Sequence, residues 1–231
     1  HLVPETGRVE VLCEGSAADL GHIIRHPITR RPLIAAFTHK TTRVVVVDPD
    51  LKERFHAMST MYPGEVEVLS MDLKLAKWVV AFVQDAGPVR YCIWDSGRGG
   101  DMAKGEGKDK GNDALSFLFY SRESLDGVAL RPMEAVIIPA RDGLPLVSYL
   151  TSPLEEGEGG PPRPLPLVLL VHGGPWARDR WGYNAHHQHL ASRGYAVLSV
   201  NFRGSTGFGK SFITAGDRAW GGKLQGALED A

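Results

Sequence analysis

The stretch LVLLVHGGPWARDRWGYNAHHQHLASRGYAVLSVNFRG, residues 167–204, decides the fold of the second half of this chain. Its first five residues are continuously apolar, which is typical of a strand buried on both faces of a mainly parallel sheet. Residues 183–192 favour a helix that stops at Arg193-Gly194, a basic last turn followed by a glycine cap. Residues 195–200 are the next apolar run. The order strand, helix, strand predicts a βαβ unit with a right-handed crossover.

Short alternating runs separated by turn residues fill the chain before about residue 130, with a turn about every ten residues. This spacing indicates an all-β sandwich, barrel or propeller. The predicted strands are residues 9–13, 33–38, 43–47, 66–70, 78–84, 90–95 and 115–120. One helix is expected over residues 49–61, because Asp48 is a good N-cap and Pro49 suits the first helical position.

Two segments between the predicted elements have the composition of loops. Residues 97–111 (GRGGDMAKGEGKDKG) have almost no apolar side chain, so we expect a mobile hairpin loop there. Residues 152–166 are rich in proline, glycine and glutamate, which indicates a linker. A hairpin turn at Asp142-Gly143 is predicted between them.

Composition excludes several classes of partner. The 231 residues carry a formal net charge of −1, which gives no overall attraction to nucleic acid or to an anionic membrane. Cys13 and Cys92 stand alone in apolar runs, so we interpret both as buried core residues. The chain starts at His1 without a signal peptide, so we expect the true N-terminus to be absent. A soluble, intracellular protein is expected, although the compartment is unknown.

His172-Gly173-Gly174-Pro175 directly follows the apolar strand. Two glycines allow a sharp turn and a close approach of the backbone to a ligand. In α/β-hydrolases such a turn supplies one backbone donor of the oxyanion hole, which stabilises the charge that develops on a substrate carbonyl. The alternative is a turn that needs glycine for its geometry alone.

A second motif, NFRGSTGFG at residues 201–209, follows the next strand, and Gly216-Asp217 and WGGK come after it. Together with HGGPW, these segments resemble the opening of the catalytic domain of the prolyl oligopeptidase family of serine peptidases. The similarity is closest to the acylaminoacyl-peptidase and dipeptidyl-aminopeptidase-like branch. It extends upstream to residues 38–49, 62–64, 87–91, 132–134 and 140–143.

The resemblance implies a fold and a set of site residues. Residues 1–130 would be the C-terminal blades of a β-propeller, and residues 131–231 the N-terminal part of an α/β-hydrolase domain. The Gly174 N–H would be the first oxyanion donor, and the residue after the nucleophile would supply the second. Structural roles in and around this turn are implied for His172, Gly173, Pro175, Arg203 and Asp217. For Arg203, contact with substrate stays open as an alternative, since arginine commonly binds carboxylates and carbonyls.

The nucleophile of this family lies in a G-x-S-x-G elbow, and the chain contains none. Ser205 has Arg203 where the first glycine should stand, and Ser211 lacks a glycine two residues later. The triad runs in the order Ser, Asp or Glu, His, so His172 is not the base. We therefore expect the triad beyond Ala231 and predict that this chain alone is inactive.

His186, His187 and His189 raise the possibility of a metal site. Zinc would need further ligands in a closed geometry, and the surrounding sequence suggests none. We interpret these histidines as a solvated helix face, and we predict neither a metal nor a cofactor.

The sequence thus predicts a serine peptidase that hydrolyses short or N-terminally blocked peptides, as part of a longer parent protein that could form a homo-oligomer. A peptide substrate is the expected partner. Two alternatives stay open: a carboxylesterase-like hydrolase with the same turn, and a non-catalytic β-rich interaction module. Dipeptidyl, acylaminoacyl and endopeptidase specificity are not distinguished.

Overall fold

The structure is a computed structural model that describes most of the chain. The described residues are 2–3, 7–95, 114–153, 164–219 and 221–229. The hairpin loop predicted at residues 97–111 lies outside them, as does most of the linker predicted at residues 152–166. Among the described residues, no helix has the length and apolar character needed to span a membrane.

Antiparallel strands form the first half of the molecule. They are β1 (Leu2–Val3), β2 (Arg8–Val9), β3 (Leu20–Arg25), β4 (Pro32–Thr38), β5 (Thr42–Val46), β6 (Glu65–Met71), β7 (Lys77–Val83), β8 (Arg90–Asp95) and β9 (Leu115–Tyr120). β1 pairs with β2, β3 to β5 form one sheet, and β6 to β9 form a four-stranded sheet in sequential order. Sequential antiparallel strands are also the arrangement within a propeller blade. The sheets of the described residues do not close into a propeller.

Six of the seven strands predicted in this half are confirmed. The strand predicted at residues 9–13 is wrong, because the chain leaves β2 at Val9 and Val11 is 79% exposed. Cys13 is consequently only half-buried, whereas Cys92 lies fully buried in β8 as expected. β3 was not predicted: its outward side chains do not alternate cleanly, and its pairing with β4 contains two register shifts.

The segment between β5 and β6 is helical, as its capping residues predict. The Asp48 carboxylate accepts a hydrogen bond from the backbone N–H two residues later at 3.2 Å. A 3-10 turn (Pro49–Leu51) then leads into α1 (Lys52–Ser59). Leu51 and Met58 point from this segment into the core and are almost completely buried. Their burial anchors α1 on the two sheets.

Two tryptophans lie at the centre of the first core. The rings of Trp78 in β7 and Trp94 in β8 meet edge-to-face, with centroids 4.8 Å apart. The indole N–H of Trp78 donates to the Leu75 carbonyl at 3.0 Å, so its polar atom is satisfied although the residue is fully buried. Aromatic pairs of this kind add about 0.5–1.5 kcal/mol beyond the burial of their area.

The second half contains a mixed sheet and three helices. Its elements are β10 (Glu134–Pro139), β11 (Pro145–Thr151), β12 (Leu167–Leu170), α2 (Ala185–Ala191), β13 (Ala196–Val200), α3 (Lys210–Thr214) and α4 (Lys223–Glu229). The strand order is β10-β11-β13-β12, and β12 pairs in parallel with β13. The predicted strand, helix, strand unit is therefore confirmed as a parallel pair connected through α2.

The predicted turn between β10 and β11 is also confirmed. Gly143 has a φ of 81°, a left-handed conformation that suits glycine, and its N–H donates to the Ala140 carbonyl at 2.7 Å. The returning strand is thereby brought into register from Pro139 opposite Pro145 to Glu134 opposite Leu150.

The strand β12 differs from its prediction. Its apolar run indicated burial on both faces, yet Leu167 and Leu169 are 53% and 39% exposed. The reason is its position: within the described residues β12 pairs with β13 on one side and with no strand on the other. A continuous apolar run thus stands at the edge of this sheet, where unpaired backbone groups favour association with another strand.

Helix α2 contains one histidine that its prediction placed wrongly. His186 and His189 are exposed as expected, but His187 is completely buried. Its Nδ1 lies 2.9 Å from the Thr151 hydroxyl of β11, and its Nε2 lies 2.8 Å from the Ser199 hydroxyl of β13. Burial lowers the pKa of His187 to about 4. The neutral side chain therefore connects α2 to the strands β11 and β13 through these two contacts.

We predict that His187 makes stability depend on pH. Folding depresses the pKa of His187, so below pH 6.5 the unfolded state binds more protons than the folded state. Stability therefore falls as pH drops from about 6.5 to 4. The shift corresponds to a loss of about 3 kcal/mol in the free energy of unfolding. Urea unfolding measures the free energy of unfolding at pH 7.5 and at pH 4. The decrease between these two pH values should be about 3 kcal/mol smaller in His187→Gln than in wild type. His189→Gln, at an exposed position, should behave like wild type; an equal pH response of all three proteins would contradict the prediction.

Candidate active site

Two glycine-rich loops meet where the parallel strands β12 and β13 end, at their carboxyl ends. The HGGP turn follows β12 and the NFRGS segment follows β13, and the two strands are parallel neighbours. The loops after parallel strands emerge at the same edge, which is where ligand sites of such sheets form. Asn201 ties them together: its Oδ1 accepts from the Asp179 N–H at 2.8 Å, and its Nδ2 donates to the Asp179 carbonyl at 3.3 Å.

His172 connects the turn to the second loop. Its Nε2 lies 3.0 Å from Ser205 Oγ, and its Nδ1 lies 3.0 Å from the Gly173 carbonyl oxygen. The imidazole also stacks on the Phe202 ring, with centroids 4.5 Å apart and an interplanar angle of 18°. These contacts fix the ring on two sides, as a residue that braces a loop requires.

The Ser205–His172 pair has the spacing of a nucleophile and its base, but the serine is enclosed by the protein. The Ser205 side chain is completely buried. Its hydroxyl donates to the Phe202 carbonyl at 2.6 Å, so its single proton is committed there and is not shared with His172. A nucleophile must reach a substrate carbonyl, and this hydroxyl is enclosed.

Gly174 combines an exposed position with a backbone conformation that favours glycine. It is exposed, with a φ of 141°, and no acceptor for its N–H lies within the described residues. A Cβ at this position would lie 2.8 Å from the Trp176 nitrogen, closer than side chains tolerate. The next residue, Pro175, is buried against Gly204, whose own Cβ would meet it at 2.9 Å. Only glycine therefore fits the turn as it stands.

The other predicted residues lie around this turn with different degrees of support. The Arg203 guanidinium is buried and donates to the Asp142 carboxylate at 2.9 Å, which lowers the pKa of Asp142. Asp217 is exposed, and its carboxylate has no partner within residues 164–219 or the other described ranges. Its bracing role stays a prediction. At Gly173 an added Cβ would meet open space, so this glycine is not required for steric reasons.

Two residues next to the turn were missed by the sequence reasoning. Arg178 crosses to the first half of the molecule, and Asp179 is half-buried with one oxygen, Oδ2, unpartnered in the described structure. Burial raises the pKa of Asp179, and the charges of His172 and Arg178 oppose this. Their position within HGGPWARD was the available signal. No group of three or more potential metal ligands occurs among the described side chains.

Comparisons with known proteins identify the family. A statistical model of the prolyl oligopeptidase family matches residues 181–225. Dipeptidyl aminopeptidase BIII of Pseudoxanthomonas mexicana is 39% identical over 229 residues, a match that covers 98% of this chain and 31% of the relative. The chain belongs to the prolyl oligopeptidase family. This is a family of serine peptidases, as the motifs had indicated.

Two further similarities extend over both halves of the chain. Dipeptidyl peptidase family member 6 of Caenorhabditis elegans is 27% identical, with 96% of this chain and 30% of the relative covered. The structure of Pyrococcus horikoshii acylaminoacyl peptidase matches with a TM-score of 0.57 and 17% identity, over 93% of this chain and 30% of that one, which establishes likeness of fold. The chain spans about a third of the length of the curated relatives it matches.

We predict that Ser205 stabilises the site without acting as a nucleophile. Ser205→Ala leaves His172 Nε2 and the Phe202 carbonyl without their partner, which should lower the free energy of unfolding by about 1–3 kcal/mol. Ser211→Ala, at an exposed serine, should change it by less than about 0.5 kcal/mol. Both variants of the full-length protein should still react with a fluorophosphonate probe. Loss of labelling in either variant would identify that serine as the nucleophile and refute the structural role.

Proposed function

We propose that the protein is a serine peptidase that hydrolyses short or N-terminally blocked peptides. The proposal is supported by the 39% identity to a dipeptidyl aminopeptidase along almost the whole chain, and by the fold shared with an acylaminoacyl peptidase. The observation that carries it is the N–H of the exposed Gly174, which has no acceptor within the described residues. A donor in this position could bind an oxygen atom of a substrate.

In this mechanism Gly174 stabilises the oxyanion of the tetrahedral intermediate. A serine attacks the scissile carbonyl, a histidine transfers its proton to the leaving amine, and the developing negative charge is held by two N–H groups. Gly174 is one of them. The His172–Ser205 pair and the packing of Pro175 on Gly204 hold it in place. Pre-oriented donors are effective because they need no reorganisation during the reaction.

The catalytic triad belongs, in this proposal, to sequence beyond Ala231. Neither Ser205 nor Ser211 lies in a G-x-S-x-G elbow, and the enclosed hydroxyl of Ser205 further supports this assignment. The chain on its own would then lack a nucleophile and be inactive. No cofactor or metal is needed for the reaction.

The two halves take different parts. We assign residues 1–130 to the last blades of a propeller and residues 131–231 to the start of the hydrolase domain. The four-stranded meander β6–β9 and the change to a mixed sheet at Glu134 support this division. A propeller over the site would restrict access to short, unfolded peptides. A simple carboxylesterase has no such β-rich half, and a non-catalytic interaction module would have no use for an open oxyanion donor.

We predict that Gly174→Ala in the full-length protein lowers kcat by about 100- to 1000-fold with little change in KM, because the added Cβ turns the N–H away from the oxyanion. The matched control is Gly173→Ala, where the Cβ has open space and activity should stay within a few fold of wild type. Steady-state hydrolysis of dipeptidyl and acyl-aminoacyl p-nitroanilides measures both constants. A loss confined to KM would contradict the oxyanion role.

We also predict that residues 1–231 expressed alone hydrolyse none of these substrates and bind no fluorophosphonate, while the full-length protein does both. The exposed apolar edge of β12 should make the short chain self-associate on size-exclusion chromatography. Hydrolysis by the short chain that a fluorophosphonate abolishes would place a nucleophile within residues 1–231. A full-length protein that reacts with neither substrate nor probe would favour the interaction module.

A further inference from the structure

Arg178 joins the two halves of the molecule at the candidate site. It lies four residues after Gly174, and its guanidinium reaches the turn between β4 and β5. Nη1 donates to the Thr38 carbonyl and Nη2 to the His39 carbonyl, each at 2.8 Å. These partners lie 140 and 139 residues away in sequence. One planar guanidinium thus donates hydrogen bonds to two successive backbone carbonyls at the β4–β5 turn.

The surroundings of Arg178 select a guanidinium. Its Cζ lies 4.3 Å from the centre of the Phe208 ring, and no carboxylate within the described residues forms an ion pair with it. Arg178 is half-buried, and burial lowers the pKa of its guanidinium. Two carbonyl dipoles, the Tyr149 hydroxyl and a ring face lie against the charge. A lysine ammonium could not donate to both carbonyls while stacking on the ring.

The backbone between Gly174 and Arg178 has little freedom to absorb a shift of the arginine. The Ala177 N–H donates to the Pro175 carbonyl at 2.8 Å, which closes a tight turn. The Ala177 carbonyl accepts from the Thr206 N–H at 3.0 Å. A movement of the guanidinium relative to the β4–β5 turn is therefore transmitted to the backbone that carries the Gly174 N–H.

We infer that Arg178 is a positioning residue for the reaction. Its hydrogen bonds to the β4–β5 turn fix the backbone that carries the Gly174 N–H, and with it the direction of that N–H. The inference rests on the proposed peptidase function and adds a determinant of that function outside the motif glycines. Arg178 touches neither the oxyanion nor the scissile bond. Its effect is on the alignment of the donor, which must be correct in the transition state and matters less for binding of the ground state.

Asp85 supplies a control that separates alignment from docking. Its Oδ2 accepts from the Met133 N–H at 2.8 Å, so it joins the two halves at a second place. Tyr149 is unsuitable as a control, because its hydroxyl interacts with the Arg178 guanidinium and lies 3.4 Å from the His39 carbonyl that Arg178 also binds. Asp85→Ala weakens the contact between the halves and leaves the hydrogen bonds of Arg178 in place.

The test uses the full-length protein with a dipeptidyl p-nitroanilide, comparing wild type, Arg178→Lys, Arg178→Ala and Asp85→Ala. A shift of the donor by about 1 Å can reduce a rate by about 100-fold, so we expect kcat of both Arg178 variants to fall by roughly ten- to 100-fold. KM should change by less than about threefold, since uniform binding is retained. Added guanidinium ion should restore part of the kcat of Arg178→Ala, and Asp85→Ala should keep the wild-type kcat.

The outcomes distinguish this inference from the function on which it rests. Unchanged kcat in Arg178→Lys and Arg178→Ala, a loss confined to KM, or an equal loss of kcat in Asp85→Ala would overturn the positioning role while the peptidase assignment stands. A wild-type protein without hydrolytic activity would overturn both. Arg178→Lys keeps the charge, so it reports on alignment even where Arg178→Ala folds poorly.

Discussion

The parallel pairing of β12 with β13 determines where the candidate active site lies. The register runs from Leu167 opposite Ala196 to Leu170 opposite Ser199, so the two strands end side by side and their following loops meet. A slip of one residue would move the HGGP turn about 3.3 Å along the sheet and reverse which side chains face the core. The bonds of Asn201 to Asp179 and of His172 to Ser205 depend on this register, and with them the orientation of Gly174.

Buried polar groups help to hold the loops that follow β12 and β13. Asn201 and Ser205 are completely buried and hydrogen-bonded, and Arg203 is buried with a carboxylate at 2.9 Å. A buried polar group that loses its partner costs about 1–3 kcal/mol, so each bond strongly favours one loop geometry over its alternatives. Fixed loops would keep the proposed donor, the Gly174 N–H, directed at the negative charge that develops on a substrate carbonyl oxygen. Arg178 extends the same principle across the boundary between the halves.

Much of the fold could be predicted because its signals are local. The alternation of residues 78–84 and 90–95, the Asp48-Pro49 cap and the Asp142-Gly143 turn each specify an element within a few residues, and the structure contains all of them. The strand β3 escaped because irregular pairing blurs its alternation. His187 was misplaced since its neighbours at positions 186 and 189 are exposed, and only the packing of α2 against β11 and β13 turns it inward.

The sequence by itself determined the change from short alternating strands to a βαβ unit, and the glycine-containing turn after β12, since each follows from residues that are neighbours along the backbone. Only the tertiary structure decided which distant groups meet. The partners of Arg178 lie 140 and 139 residues away, and Asp142 reaches Arg203 across 61. It also placed an apolar strand, β12, at a sheet edge, because the burial of a strand depends on its neighbours in space. Pairings over such separations are set by how the sheets pack, and no local pattern of residue types encodes them.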